Sequence, residues 1–260
     1  MRRYAGDEAQ QVVVIGALEA PRRTRFANRR PRPAEPGPAP VDVTRATVVT
    51  AGSLEGEARA EEWLKEATER AAETTVTDAL AVLNRALHAR RIAAADPYAG
   101  EVAPRHALVT RVGYGTGDEV AEGLWTAARE LPAEPPRVPR ESVLRPQERF
   151  AAVLAARDVT LACELLALRA RLDLDHGRDR EAALQLEAAL TAAVSELEGW
   201  RELHGMPARL EELLALMPGV AEAAGAARAG SLDEGGRDVV AAALARLEAA
   251  LRARTASASF

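Results

Sequence analysis

The spacing of apolar residues along the chain predicts strands in its first half. β-Branched residues fill most of 12–18 and 43–50, and a shorter run of the same kind occupies 107–112. Runs of this length and composition, bounded by proline or glycine, are typical of β-strands. We therefore expect a small sheet here, to which 12–18 would add a third strand.

Helical spacing separates the later strands. Apolar residues recur at three- and four-residue steps from Ala60 to Ala71, and a capping-box sequence at Thr75 predicts a second helix. The same capping-box spacing at Thr116 predicts a third helix, with an apolar face of Val120, Leu124, Ala127 and Leu131. This order of strands and helices predicts a small two-layer α/β domain over 41–131.

Two proline-rich segments divide the chain. Residues 21–40 hold six arginines, six prolines and a single acidic residue, so they predict a disordered linker or arm after an N-terminal strand segment at 1–20. A second linker is predicted at 132–146, because four prolines stand close together there: Pro132, Pro135, Pro136 and Pro139. The remaining segments are a predicted helical bundle domain at 147–254 and a disordered tail at 255–260.

A long helix expected at 147–175 has leucines on one face. They recur at four- and seven-residue steps and would meet a partner helix: Leu154, Leu161, Leu165, Leu168 and Leu172. Asp158 interrupts this row once. Gly177 ends the helix, and the next helix carries its own apolar row of Leu186, Leu190 and Leu197. Because the turn is short, we expect the two helices to lie antiparallel, with these leucines as the interaction seam of the bundle.

Three further helices complete the predicted bundle. They cover about 208–217, about 220–229 and the segment after the capping box at Ser231, whose apolar face is Val240, Leu244, Leu247 and Leu251. The chain has 58 alanines and only 3% aromatic residues, a composition that permits close helix approach but supplies few bulky core groups. The expected fold class is therefore α+β and mainly helical, with a small two-layer α/β unit followed by an alanine-rich antiparallel helical bundle.

One short segment resembles a known repeat. The sequence from Gly177 to Leu190 is similar to the second half of a tetratricopeptide repeat, in which a turn glycine precedes interlocking small and large apolar residues. The resemblance covers about 14 residues and implies only paired-helix packing. Glu211 stands where the turn glycine of a next repeat would be, so we expect no array of repeats.

A glycine cluster after the strand at 107–112 is the one candidate ligand site. Its members would place backbone N–H groups and a helix N-terminus where an anion could bind, and they are Gly113, Gly115, Thr116 and Gly117. The glycine spacing departs from the dinucleotide-binding pattern, and Asp118 and Glu119 would repel phosphate. The sequence favours a capped turn here, with a phosphate-ligand-binding enzyme as one alternative function.

The arginines of the 21–40 segment suggest a second alternative. Residues 1–40 carry a net charge of +4, whereas the rest of the chain carries −9 and would oppose binding to a polyanion. The arm that could contact phosphates or an acidic partner consists of Arg22, Arg23, Arg25, Arg29, Arg30 and Arg32. Only Phe26 is available there for base stacking, so this alternative is a sequence-tolerant nucleic-acid-associated factor.

Rare residue types limit the remaining chemistry. Cys163 is the only cysteine and Lys65 the only lysine, which excludes a disulfide framework and a glycine-rich phosphate loop with its lysine. The four histidines lack metal-ligand spacing, and no nucleophile-elbow sequence is present, so we expect no catalytic residues, no metal and no cofactor. No apolar run reaches the roughly 18 residues that cross a bilayer, so we expect no membrane partner.

The leading prediction is a non-enzymatic protein-interaction or assembly module. Its helical bundle would bind a protein partner or form a homo-oligomer through the leucine rows. A lone cysteine favours a reducing compartment, so the expected location is the cytoplasm. Arginine in place of lysine throughout the chain is typical of a GC-rich bacterial genome.

Overall fold

The computed structural model describes residues 11–18, 43–132 and 146–257, and the chain divides into two compact units between Pro135 and Pro136. That division lies inside the segment predicted as the second linker. The predicted arginine arm at 21–40 lies outside the described residues. Within those residues the fold is mainly helical α+β, as predicted, with seven α-helices and two small antiparallel sheets.

The first unit contains both sheets, and each sheet is a separate pair of strands rather than part of one larger sheet. In the first pair, the N-terminal strand is antiparallel to the second, with Val14 opposite Thr47. In chain order the elements are β1 (Gln11–Leu18), β2 (Val43–Thr50), α1 (Glu57–Glu69), α2 (Ala72–Ala93), β3 (Thr110–Tyr114) and β4 (Ala127–Leu131).

The prediction of a helix from Thr116 to Leu131 is wrong, because this segment forms a short 3₁₀ turn followed by β4. The indole N–H of Trp125 donates to the carbonyl of Val120 at 2.9 Å, and the ring lies against Gly113, where a Cβ atom would stand only 2.5 Å from it. Gly123 has a φ of 78°, a left-handed conformation that ends the turn. These contacts close a β-hairpin, and they outweigh the helical spacing of the apolar residues.

The second unit contains only helices. They are α3 (Pro146–Leu154), α4 (Ala162–Asp175), α5 (Asp179–Glu196), α6 (Met206–Ala229) and α7 (Glu234–Ser257). Helix α5 begins two residues after the turn glycine Gly177 and contains Leu186 and Leu190 of the predicted apolar row, while Leu197 lies in the 3₁₀ turn that follows it. The core of this unit is built from leucine, valine and alanine side chains of α4 to α7 that are almost completely buried.

The single helix predicted at 147–175 is instead two helices, α3 and α4. Ala156 takes a left-handed conformation with φ of 53°, and the N–H groups of Arg157 and Asp158 both donate to the carbonyl of Ala152. Glu164 then accepts the N–H of Leu161 and begins α4. Just after this break, the Asp158 carboxylate pairs with two arginines, as described below.

Two other helix boundaries also differ from the prediction. The segments expected at about 208–217 and 220–229 form one helix, α6, with Pro218 inside it. Residues on both sides of this proline, among them Leu213 and Val220, are buried in the same core, and this packing outweighs the backbone hydrogen bond that proline removes. Helix α7 continues to Ser257, so Thr255 is a buried helical residue rather than the start of a tail.

Replacing Leu186 by alanine should destabilise the bundle strongly. Its side chain is fully buried, so the Leu186→Ala variant loses transfer free energy and leaves a cavity, which costs about 2–5 kcal/mol of unfolding free energy. The matched control is Leu184→Ala on the same helix, where the side chain is 38% exposed and the expected cost is below about 1 kcal/mol. Urea unfolding followed by circular dichroism measures both, and equal costs would contradict this description of the core.

Candidate functional site

Helix α4 buries its cysteine, two alanines and one leucine, Leu174, and exposes three other leucines. Cys163 and Ala170 are fully buried, and Ala167 is 3% exposed. On the other side, Leu165, Leu168 and Leu172 are 51%, 68% and 42% exposed. At 100° per residue these three leucines fall within an arc of about 60°, opposite the buried side chains. We call Leu165, Leu168 and Leu172 the leucine face.

Small side chains on the neighbouring helix explain this orientation. Helix α5 presents a buried face rich in alanine, which includes Ala182, Ala183, Ala189 and Ala193. Helices lined by small residues can approach closely, whereas leucines between them would hold the two backbones apart. The side chains that α4 buries are Cys163, Ala167, Ala170 and, in its last turn, Leu174, whereas the leucine face is directed away from the core.

The structure divides the predicted interaction seam between two environments. Leu186, Leu190 and Leu197 are at most 1% exposed, so they hold the bundle together and are not accessible to a partner. Leu161 is half-buried just before α4, and Leu154 lies on α3 with 72% of its surface exposed. Of the predicted seam, the structure brings only the leucine face together as one exposed row on one helix.

A cluster of two arginines and two carboxylates lies at the N-terminal end of α4. Arg254, which is only 2% exposed, pairs with Asp158 and Glu164 and also donates to the carbonyl of Val159. Its guanidinium lies 4.3 Å from the ring centre of Trp200, a cation–π arrangement. Arg149 completes the cluster, with distances of 3.0 Å to Asp158 and 2.7 Å to Glu164.

This cluster fixes α3 and the connecting segment to the bundle. The two positive and two negative charges balance, which is the condition under which buried charges are tolerated. Burial would raise the pKa of Asp158, but the hydrogen bonds from Arg149 and from the Val159 N–H and the charges of both arginines outweigh it, so the pKa is lowered. Sequence reasoning missed the cluster because Arg254 is far in the chain from Asp158 and Glu164. The only sign of the cluster in the sequence was Asp158, a charged residue in a row of leucines.

Glu196 anchors the first turn of α4 from the end of α5. Its carboxylate accepts the N–H groups of Ala162 and Cys163 at 3.0 and 2.9 Å. Burial would raise the pKa of Glu196, but the hydrogen bonds from these two residues outweigh it and lower the pKa. Burial and the adjacent Glu196 carboxylate both raise the pKa of the Cys163 thiol, which makes a reactive thiolate unfavourable.

The predicted glycine site lacks the helix that it needed. Gly113 lies in β3, while Thr116 and Gly117 are exposed in the turn that follows. Beyond them stands a 3₁₀ turn of five residues, Asp118–Glu122, in place of the expected α-helix. A Cβ on Gly115 would stand 3.0 Å from the Val120 side chain, so this glycine serves packing in the hairpin. Anion binding by these residues stays a prediction without a helix N-terminus to support it.

The described residues offer no clear site for a metal ion or small molecule. Within 11–18, 43–132 and 146–257, no three histidine, cysteine or acidic side chains are grouped to hold a metal ion. A concavity of about 350 Å³ between α5 and α6 is lined mainly by apolar side chains beside Pro218, and its one acid, Glu187, pairs with Arg228. Ligand sites combine an apolar lining with convergent polar groups, which this groove does not have.

No protein-family model matches this chain, and no curated protein or solved structure is significantly similar to it. None of the helices in the described parts of the chain is long and apolar enough to cross a membrane. What the fold and its surface define is a mainly helical α+β protein with a helical bundle that carries an exposed row of leucines.

Removing Arg254 should destabilise the second unit far more than removing its exposed neighbour. The Arg254→Ala variant leaves two largely buried carboxylates with one arginine, which costs about 3–5 kcal/mol of unfolding free energy. In the control, Arg252→Ala, the side chain is 53% exposed and its ion pair with Glu248 spans 3.9 Å, so the expected cost is below about 0.5 kcal/mol. The difference in urea midpoint between the two variants measures this, and similar midpoints would show that the cluster is not structural.

The Cys163 thiol should resist alkylation in the folded protein. Its side chain is fully buried and its pKa is raised, so almost no thiolate is available at neutral pH. Mass spectrometry after iodoacetamide treatment should find no adduct in buffer and one adduct per chain in urea. Rapid modification in buffer would mean that α4 is not packed against the core as described.

Proposed function

We propose that this chain is a protein-interaction module and that the leucine face of α4 is its binding surface. The orientation of α4, which buries alanine along most of its length and leaves the three leucines of the leucine face exposed, carries this proposal. A fully buried leucine contributes about 1.5–3 kcal/mol relative to an exposed one, so the folded chain leaves a large part of that stabilisation unrealised at three positions. Helix α4 thus has a second apolar side opposite its buried one, and a partner would bury that outer side.

The surroundings of the leucine face fit a binding surface. Arg171 pairs with Glu248 on α7 at 2.9 Å, and Glu196 caps the first turn, so α4 is held on a rigid support. A binding surface that is ordered before the partner arrives loses little conformational entropy on association. The exposed side chain of Arg169 and the 59% exposed side chain of Asp175 lie beside the leucines and give the surface a polar rim.

The spacing of the leucine face indicates how a partner would bind. Leu165, Leu168 and Leu172 stand at positions i, i+3 and i+7, which is the pattern that packs against one partner helix. The proposal assigns no catalytic role to the chain. The proposed location is the cytoplasm, which the single buried cysteine supports.

Site-specific photo-crosslinking in cells tests this proposal. A benzophenone amino acid placed at Leu168 should form a covalent adduct with a bound protein, because the side chain is 68% exposed at the centre of the leucine face. The same amino acid at Glu222, an exposed position on α6, is the control and should give no discrete adduct. Adding Leu172→Glu should abolish the Leu168 adduct. Absence of an adduct at Leu168, or equal adducts at both positions, would refute the proposal.

A further inference from the structure

We infer that the partner of the leucine face is a second copy of this chain, arranged with the two α4 helices antiparallel. This inference rests on the proposed function, and it adds the identity and orientation of the partner. A two-fold interface uses the same surface on both subunits, so a surface must complement itself. An apolar row meets that condition without a second type of surface, whereas a charged row would repel its copy.

The positions of the leucines match an antiparallel pair. If the two-fold axis passes beside Leu168, Leu165 of one copy lies opposite Leu172 of the other, and the two Leu168 side chains lie next to each other. All three leucines are then covered in each copy. A parallel pair would place equal residues opposite each other and would bring both copies of α3 to the same end of the interface.

The area available agrees with a modest dimer. Outside the leucine face, the same unit exposes Phe150, Leu154 and Val159 by 62%, 72% and 53%. Arg149 binds Glu164 in the first turn of α4, so α3 is held at that end of the helix. In an antiparallel pair the end of the partner's α4 that carries Leu172 approaches this same end, where α3 can extend the contact.

The dimer that we infer covers Phe150, Leu154 and Val159 together with the leucine face. Each of these six side chains leaves on the order of 100 Å² exposed, so covering all of them in two copies would bury about 1,200 Å², at the lower limit for stable protein–protein interfaces, whereas the leucine face alone would bury about half of that. An interface of this size predicts a reversible dimer whose population depends on protein concentration. Because apolar contact dominates it, the dimer should change little with salt.

Light scattering of the purified full chain, between about 5 and 200 µM and at low and moderate salt, tests whether the dimer forms. We expect the mass to rise from 27.7 kDa towards twice that value with concentration, at both salt levels. Leu168→Glu would place two carboxylates beside the axis and should weaken the dimer at least tenfold, with unchanged circular dichroism. Leu214→Glu is the matched control, because Leu214 is 47% exposed on α6 and should leave the dimer intact.

Cysteine crosslinking tests the orientation. In a Leu168→Cys variant, the two introduced thiols lie near the axis and should form an intermolecular disulfide under oxidised glutathione. In Leu172→Cys, the two thiols would stand about 10 Å apart along the helix and should not be bridged. The native Cys163 is buried and does not compete. Efficient bridging of both variants would indicate a parallel pair and overturn the orientation.

If the protein is a monomer at every concentration, the inference that its partner is a second copy of this chain is wrong. The photo-crosslinking experiment then separates the two proposals, because an adduct at Leu168 with a mass other than two chains would preserve the interaction surface and reject self-association. A monomer without any adduct would reject both.

Discussion

The close contact of α4 with the core through cysteine and alanine side chains determines most of what the second unit presents to its surroundings. Side chains of this size allow α4 and α5 to pack closely along most of their length, and the leucine that α4 contributes to the core is Leu174 in its last turn. The leucine face of α4 points away from the core. The exposed apolar row is thus a result of good internal packing rather than of a defect in it.

The buried ion cluster holds the N-terminal end of α4 in place. Asp158 and Glu164 stand on either side of the start of α4, and Arg254 reaches both from the last turns of α7. The cluster thereby joins the two ends of the unit's chain, 146–161 and the C-terminal part of α7. Charge neutralisation within a nearly dry site requires all four groups to be present, which makes this end of the bundle sensitive to single substitutions.

The sequence predicts some of these elements well because their signals are local. Helix α5 was predictable because Gly177 marks a turn and the apolar residues that follow it repeat with helical spacing. The direction in which the leucines of the predicted helix 147–175 would face was not predictable, because heptad leucines satisfy a coiled-coil pattern whether they face the core or solvent. Only the size of the side chains opposite them decides between the two, and that information lies on another helix.

The other wrong predictions also arise because contacts between distant residues outweigh a local sequence signal. A capping-box sequence at Thr116 is local evidence for a helix, yet Trp125 packs over Gly113 and closes a hairpin instead. Pro218 is local evidence for a helix end, yet the buried residues on both sides of it belong to one core. The predicted glycine site depended on the first of these helices, while the Arg254 cluster depends on residues too distant in sequence for any spacing rule to connect.

The hydrogen bonds that the first turn of α4 donates to Glu196 bear on the order in which this unit assembles. A helix usually caps its own N-terminus with a nearby side chain, so that it can form alone. Here Glu164 of α4 accepts the Leu161 N–H, but the N–H groups of Ala162 and Cys163 are accepted by Glu196 in the last turn of α5, and they stay without this partner until α5 is complete. The two helices therefore gain and lose structure together, as one cooperative folding unit rather than as two successive elements.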